Sequence, residues 1–109
     1  MKVAVVTPTI GSEHLTKCIQ SVDEQTYGDL THYIFIDGNQ YKSKVEEIIE
    51  GASKVRTITL EENVGKGWYG HRVYAACSFL VNADVIVYLD EDNWFDPCHV
   101  QKLVDRKST

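Results

Sequence analysis

Two kinds of segment, distinguished by the spacing of their apolar residues, follow each other along this chain. The run 85–89 is apolar at every position, which is typical of a strand covered on both faces, as in a parallel sheet, and three other short segments rich in apolar residues are also predicted to be strands. Between these runs, apolar residues recur every three or four positions, which indicates helices with one buried face. Pro8 is expected to end the first strand, because proline cannot donate to a sheet ladder. The predicted strands are residues 2–7, 31–36, 55–60 and 85–89.

Residues with known capping preferences mark the predicted helix starts. Ser12 is a candidate N-cap for the first helix, and Ser43 opens a sequence typical of a capping box. The third helix is expected over residues 69–81, and Asp96 followed by Pro97 predicts the start of the fourth. The positions predicted to face inward are Leu15, Cys18, Ile19 and Val22; Val45, Ile48, Ile49 and Ala52; Val73, Ala76, Cys77 and Leu80; and Val100, Leu103 and Val104.

The order of these elements predicts the fold class. Strands and helices alternate as β-α-β-α-β-α-β-α, which implies right-handed crossovers between parallel strands. We expect an α/β fold: a three-layer α/β/α sandwich around a mostly parallel four-stranded sheet, Rossmann-like in arrangement. Because the chain has 109 residues and no linker or internal repeat, residues 1–109 are expected to form a single domain.

Composition narrows the range of partners. The chain carries 16 acidic and 11 basic residues, a formal net charge of −5, which argues against nucleic acid or a membrane surface as the main partner. No apolar stretch is long enough to span a bilayer, so no membrane span is expected. Cys18, Cys77 and Cys98 form no Cys-x-x-Cys pair, which favours a reducing compartment, and we expect a cytoplasmic protein.

The main candidate for chemistry is the acidic segment after the fourth apolar run. Asp90, Glu91 and Asp92 lie there, and ligands of open α/β sheets bind at the carboxyl ends of the strands. Two carboxylates one residue apart suit Mn²⁺ or Mg²⁺, which fill their shells with water and substrate phosphate. We therefore expect Asp90 and Asp92 to bind a metal at the end of a central, buried strand. The alternative is a solvated acidic loop that only ends the strand.

Three other motifs do not fit the sequence. A calcium-binding EF-hand loop requires glycine at its sixth position, where Phe95 stands. A phosphatase-type aspartyl nucleophile would be expected after the first strand rather than the fourth. A P-loop is only weakly indicated, because no G-x-x-x-x-G-K-[ST] pattern surrounds Lys66.

Further segments are expected at the same edge of the sheet. Residues 8–11 follow the first strand, and Asp37 ends the second, where it could accept a hydrogen bond from a base or ribose or could simply form a turn. In the loop 63–67, Lys66 could pair with a diphosphate, as could Arg72 in the next helix; the alternative for Arg72 is a solvated helix surface. The aromatic residues nearby, which could stack on a ligand or only pack, are Trp68, Tyr69 and Trp94.

The order and spacing of these motifs resemble one known family. A strand runs into a P-T-x-x turn, a helix reads L-x-x-C-I-x-S-x-x-x-Q, and a second strand ends in aspartate. An N-x-G motif, an arginine-bearing helix and a strand ending in D-x-D follow. In this chain the motifs are Val3 to Gly11, Leu15 to Gln25, Tyr33 to Asp37, Asn63 to Gly65, Arg72, and Leu89 to Asp92. Over nearly its whole length the chain is similar to the nucleotide-binding half of family 2 glycosyltransferases, which have the GT-A fold.

The resemblance implies a ligand and a role for each matching residue. The implied ligand is a nucleotide-diphosphate sugar, with Asp92 binding the Mn²⁺ or Mg²⁺ that bridges the diphosphate. The chain departs from the family pattern at Gly38 and Asn93, where further acids are frequent. The implied metal ligands are Asp90 and Asp92. The implied nucleotide-binding residues are Pro8, Thr9, Gly11, Asp37, Lys66, Arg72, Asp90 and Glu91.

Family members usually continue well beyond the D-x-D motif, into a half that supplies the acceptor site and the catalytic base. No residue here matches that base, so we identify no catalytic residue and expect the base outside this chain. The alternative function is a non-catalytic nucleotide- or protein-binding module, which could form a homodimer through the flank that the missing half would cover. A sugar nucleotidyltransferase is disfavoured, because the first strand lacks that class's glycine-rich signature.

Overall fold

The computed structural model describes residues 1–64 and 71–108, without the side chains of His71, Arg72, Ser78, Phe79 and Ser108. Its described centre is a sheet of four parallel strands in the order β3-β2-β1-β4. The strands are β1 (Val3–Thr9), β2 (Leu30–Asp37), β3 (Val55–Leu60) and β4 (Val85–Tyr88). The predicted α/β fold with a parallel sheet is confirmed.

Helices cover both faces of the sheet, which gives the predicted three layers. One face packs against α1 (Leu15–Asp23), α2 (Lys42–Ile49) and α4 (His99–Ser108), and the other against α3 (His71–Leu80). A short 3-10 helix, Asn39–Tyr41, leads into α2. Among residues 1–64 and 71–108, no helix has the length and apolar character needed to cross a membrane.

Strand β1 is the centre of the core. Its successive side chains point to opposite faces, so Val3 and Val5 pack with α1 and α4, whereas Ala4 and Val6 pack with α3. All four are at most 1% exposed. Because burying a valine side chain contributes roughly 1.5–3 kcal/mol, this strand holds the two helical layers together.

Pro8 does not end β1, contrary to the prediction, and the strand continues through it to Thr9. The main chain of Val6 faces β4, since its carbonyl accepts a hydrogen bond from the N–H of Leu89. Pro8 lies two residues after Val6, so its main chain also faces β4, but at a point past the last hydrogen bond between the two strands. Its missing N–H therefore leaves no ladder bond unmade, and β1 stays paired with β2 on its other side.

Strand β4 lies at the edge of the described sheet, whereas the sequence predicted a central strand buried on both faces. Its first three residues are only half-buried, and Tyr88 is 50% exposed. Leu89, directly after the strand, is buried. An apolar run indicates that a strand can be covered, but the place of the strand in the sheet depends on the direction of the crossover before it.

The starts of three helices differ from the prediction. Helix α1 begins at Leu15, whose N–H donates to the carbonyl of Ser12 three residues earlier. Helix α2 begins at Lys42, so Ser43 lies inside it and caps nothing. The 3-10 helix already supplies the preceding turn, which removes the need for a capping box there. Helix α4 begins at His99, later than the predicted Asp-Pro start.

The predicted inward face of α3 is only partly right. Val73 and Cys77 are buried, but Ala76 is exposed and Leu80 is 54% exposed. Tyr74 packs against the sheet beside Val73 and Cys77. The helix is therefore rotated relative to the prediction, which brings a tyrosine rather than a leucine toward the sheet.

Ser21 of α1 and Gln25, two residues after the helix ends, hold the segment that follows the acidic residues. Gln25 is 5% exposed; its amide donates to the carbonyls of Ser21 and Asp96, and its oxygen accepts from the N–H of Val100. The hydroxyl of Ser21 accepts from the N–H of Phe95. These bonds satisfy the N–H of Val100, which has no partner within α4, and main-chain groups in the segment that leads into the helix. The S-x-x-x-Q part of the helical motif thus positions the chain after the D-x-D.

Candidate functional site

The carboxyl ends of the strands share one edge of the sheet, as predicted, because all four strands are parallel. We call residues 8–11, the last two residues of β1 and the two that follow, the P-T-I-G turn, and residues 90–93, after β4, the acidic turn. These two turns are in direct contact through Glu91. The end of β2 contacts the loop after β3 through Asp37. The structure therefore brings the predicted strand ends together in two pairs.

The acidic turn is tight and exposes two of its three carboxylates. The N–H of Asn93 donates to the carbonyl of Asp90 at 3.0 Å, which places Glu91 and Asp92 at the centre of the turn. Asp90 and Asp92 are exposed, and Glu91 is half-buried. Within the part of the chain that the structure describes, the Asp92 carboxylate has no hydrogen-bond or ion-pair partner. Asp92 is therefore the carboxylate of this turn most available to a ligand.

Glu91 binds back to the P-T-I-G turn. Its Oε1 accepts from the Thr9 hydroxyl at 3.1 Å and from the N–H of Ser12 at 2.9 Å. Its Oε2 accepts from the N–H of Ile10 at 3.1 Å. Hydrogen bonds to an ionised carboxylate are stronger than those between neutral groups. Glu91 thus links two turns, and its contact with a nucleotide stays a prediction.

Three further predicted residues form the end of β1 and its turn. The Thr9 hydroxyl donates to Glu91 and accepts from the N–H of Gly11 at 2.9 Å, and Thr9 is only 1% exposed. Gly11 has a φ of 75°, in the left-handed region that glycine adopts without strain. Pro8 lies within β1 itself. These contacts explain the shape of the turn, and nucleotide binding by Pro8, Thr9 and Gly11 stays a prediction.

Asp90 is anchored to α3. Its Oδ1 accepts a hydrogen bond from the Tyr74 hydroxyl. Burial and this bond to a carboxylate raise the pKa of Tyr74 above its ordinary value, so the phenol keeps its proton and remains a donor. The acidic turn is therefore held on two sides, by Glu91 at β1 and by Asp90 at α3.

Asp37 is 4% exposed and organises the loop after β3. Its Oδ1 accepts from the N–H of Val64 at 2.7 Å, and its carbonyl accepts from the side-chain amide of Asn63 at 2.9 Å. Both residues belong to the N-x-G motif. The carboxylate therefore has a role in shaping the loop, and its contact with a base or ribose stays a prediction.

Two predicted cationic contacts cannot be placed in the same way. Lys66 lies outside the described residues, as do Trp68 and Tyr69. Arg72 is the second residue of α3, but its side chain is outside the described part of the chain. Pairing of either cation with a diphosphate stays a prediction.

An open cleft of about 610 Å³ lies beside the acidic turn, and Tyr74, Tyr88 and Asp90 line part of it. Trp94 also borders the cleft and is 55% exposed. The ammonium of Lys17 lies 3.4 Å from the centroid of the Trp94 ring, a cation–π contact that holds the indole in place. The cleft therefore combines aromatic surface with Asp90, one of the two predicted metal ligands.

The available donors restrict the metal that could bind. Among residues 1–64 and 71–108, no three His, Cys, Asp or Glu side chains form a group that could hold a metal ion. Structural zinc, which needs four protein ligands, does not fit this arrangement. Asp90 and Asp92 fit Mg²⁺ or Mn²⁺, which use one or two carboxylates and fill the remaining positions with water and phosphate.

Sequence reasoning missed Tyr74 and Lys17. Tyr74 precedes Cys77 by three residues, a helical spacing that places both on the face toward the sheet, so the signal was present. Lys17 lies on the exposed side of α1, and no local pattern connects it with Trp94. That contact depends on how the acidic turn passes the helix.

Several solved structures with a similar fold are of S. aureus TarS. The TarS 1-349 fragment in complex with UDP superposes with a TM-score of 0.78 at 15% identity, covering 96% of this chain and 31% of that one. The same fragment in complex with UDP-GlcNAc superposes with a TM-score of 0.70 at 18% identity, covering 99% of this chain and 30% of that one. The structure of TarS itself superposes with a TM-score of 0.72 at 17% identity, covering 96% of this chain and 19% of that one. This chain therefore spans between a fifth and a third of the structures it resembles.

Comparison by sequence gives the family. No curated protein matches the chain. The profile of Glycosyl transferase family 2 matches residues 4–108, nearly the whole sequence and every element described above. The α/β/α layers, the parallel sheet and the likeness to GT-A structures agree with that match. The chain thus belongs to glycosyltransferase family 2.

Proposed function

We propose that this chain is a single-domain donor-binding unit, which binds a nucleotide-diphosphate sugar at the carboxyl edge of its sheet with the help of Mn²⁺ or Mg²⁺. The observation that carries the proposal is the acidic turn. It presents Asp92 free to solvent beside Asp90. The likeness to TarS fragments crystallised with UDP and UDP-GlcNAc supports a uridine nucleotide as the first ligand to test.

The proposed roles are those that the resemblance to the family implies. The P-T-I-G turn and Asp37 would meet the nucleoside, Asp90 the ribose, and Lys66 or Arg72 the diphosphate. Asp92, with Asp90, would hold the metal. A bound metal would supply Lewis-acid stabilisation of the charge on the departing nucleoside diphosphate. Transfer to an acceptor would need a base, which we expect outside this chain.

Thermal unfolding tests the proposal. The wild-type chain is melted with UDP or GDP, each with Mn²⁺ and with a chelator. A ligand at about 100 times its dissociation constant adds roughly 2.7 kcal/mol of stability, which raises Tm by on the order of 10 °C in a domain of this size. We expect that rise with UDP and Mn²⁺ together and a much smaller one with chelator. The absence of any rise with either nucleotide would contradict the proposal.

The second candidate is a non-catalytic module that forms a homodimer through the flank of β4. It is favoured by one observation: no described strand pairs with the outer side of β4, where Tyr88 is 50% and Trp94 is 55% exposed. Sedimentation velocity distinguishes the candidates. A dimer that Tyr88→Lys converts to a monomer, in a chain that binds no nucleotide, would favour the module over the donor-binding unit.

A further inference from the structure

One side chain joins the two turns that the proposed function assigns to different parts of the ligand. Glu91 reaches from the acidic turn to three donors, two on the P-T-I-G turn and one at Ser12 directly after it, at 2.9–3.1 Å. Two of those donors are the main-chain N–H groups of Ile10 and Ser12, which most residues would supply. The third is the Thr9 hydroxyl. The specificity of this link therefore depends mainly on Glu91.

The position of Glu91 also sets the positions of its neighbours. Asp90 and Asp92 stand on either side of it in a turn closed by the 3.0 Å bond between Asp90 and Asn93. In so tight a turn, any shift of Glu91 moves both Asp90 and Asp92. Asp90 is held on its far side by Tyr74, so the turn has little freedom to compensate. Loss of the Glu91 bonds would thus release Asp92 more than Asp90.

We propose that Glu91 is a positioning residue, which links the P-T-I-G turn to the acidic turn so that metal binding and nucleotide binding strengthen each other. Ordering either turn orders the other through the three bonds of Glu91. Such coupling is reciprocal and typically changes affinity by about 5–150-fold. The inference rests on the proposed function and deepens it, because it assigns the coupling between the two ligands to one carboxylate.

The test measures coupling rather than affinity alone. UDP is titrated by calorimetry into the wild-type chain, Glu91→Gln and the control Glu47→Gln, each with Mn²⁺ and with chelator. Glutamine keeps the size of the side chain, but its amide nitrogen cannot accept from the donors that face it. Glu47 is an exposed residue of α2, so its variant matches the change in charge. We expect Glu91→Gln to reduce the enhancement by Mn²⁺ about tenfold, and Glu47→Gln to leave it unchanged.

The outcomes separate this inference from the function on which it rests. A wild-type chain that binds no UDP overturns both together. If the wild type binds UDP and Glu91→Gln shows the same enhancement by Mn²⁺, only the inference is overturned. This holds even if the variant binds UDP more weakly overall, because an equal loss of affinity with Mn²⁺ and with chelator indicates a purely structural role. If Glu91→Gln does not fold, Thr9→Val removes one of the three donors and should reduce the enhancement about threefold; no reduction overturns the inference.

Discussion

At the scale of single residues, the most unusual side chain is a histidine in the core. His32, in β2, is fully buried, and its Nε2 lies 2.8 Å from the Thr7 hydroxyl. Its Nδ1 has no hydrogen-bond partner among the described residues. Burial lowers the pKa of His32 to about 3, from an ordinary value near 6.5. The folded chain therefore keeps this imidazole neutral.

This histidine makes the stability of the fold sensitive to acid. Because the folded-state pKa of His32 is lowered, its contribution is complete above pH 6.5 and is lost as the pH falls from 6.5 toward 3, where only the unfolded chain binds the proton. Between pH 7 and pH 5 we expect a loss of about 2 kcal/mol in the free energy of unfolding. Urea titrations at both pH values measure it. His32→Gln should remove most of the loss, and His14→Gln, at an exposed position, should not; equal losses in all three chains would contradict this account.

Gly38 is fixed by its backbone. Its φ is 131°, and a Cβ there would lie 3.2 Å from ring atoms of Tyr41. Gly38→Ala should therefore lower the free energy of unfolding by about 2 kcal/mol, since a side chain in that conformation is strained. Gly28→Ala is the matched control, because a Cβ at Gly28 meets no atom within 4 Å. Thermal melts of the two variants compare them directly, and equal Tm values would show that the strain is absent.

Residue types were predictable from the sequence more often than residue partners. The apolar faces of α1 and α2 were correctly read from spacing, because burial follows the helical period. The contacts of Glu91 with the P-T-I-G turn were not, and its predicted contact with a nucleotide stays a prediction. A local pattern reports which side chains are polar, but a contact across 79 to 82 positions depends on the fold.

At the scale of elements, Gln25 joins the end of α1 to the start of α4 through three hydrogen bonds. Gln25→Ala leaves buried main-chain groups without partners and should cost about 2–3 kcal/mol of stability. Gln20→Ala is the control on the same helix, because Gln20 is exposed and its side chain bonds, within the described residues, only to Glu24. Chemical denaturation of both variants tests this difference. Similar midpoints would mean that Gln25 does not hold the segment after the acidic turn.

Element type and order could be predicted, whereas element ends and sheet position could not. All strands and α-helices of the described chain correspond to predicted ones, because hydrophobic period distinguishes them, whereas the 3-10 helix at Asn39–Tyr41 was not predicted. The predicted ends of β1 and the predicted starts of three helices were wrong. The effects of Pro8 and of the capping residues depend on contacts that form only in the folded chain. The place of β4 at the edge followed from a crossover that reversed direction after β3.

At the scale of the whole molecule, the fold and the family were predictable because motifs spread over the entire chain agree in type and spacing. The candidate site was predictable as an edge of the sheet but not as a set of contacts. Of the predicted nucleotide-binding residues, Thr9, Gly11, Asp37 and Glu91 are engaged in shaping that edge. Asp92 alone among the predicted acids is both exposed and without a partner in the described chain.

The most direct measurement of the central claim is a calorimetric titration of UDP into the wild-type chain and Asp92→Asn, with Mn²⁺ and with chelator. Asp29→Asn serves as the control, because Asp29 is exposed and precedes β2 at the opposite edge of the sheet. We expect the wild type and Asp29→Asn to bind UDP at least tenfold more tightly with Mn²⁺, and Asp92→Asn to lose that gain. Equal affinity of Asp92→Asn and the wild type in Mn²⁺ would contradict a metal site at the acidic turn.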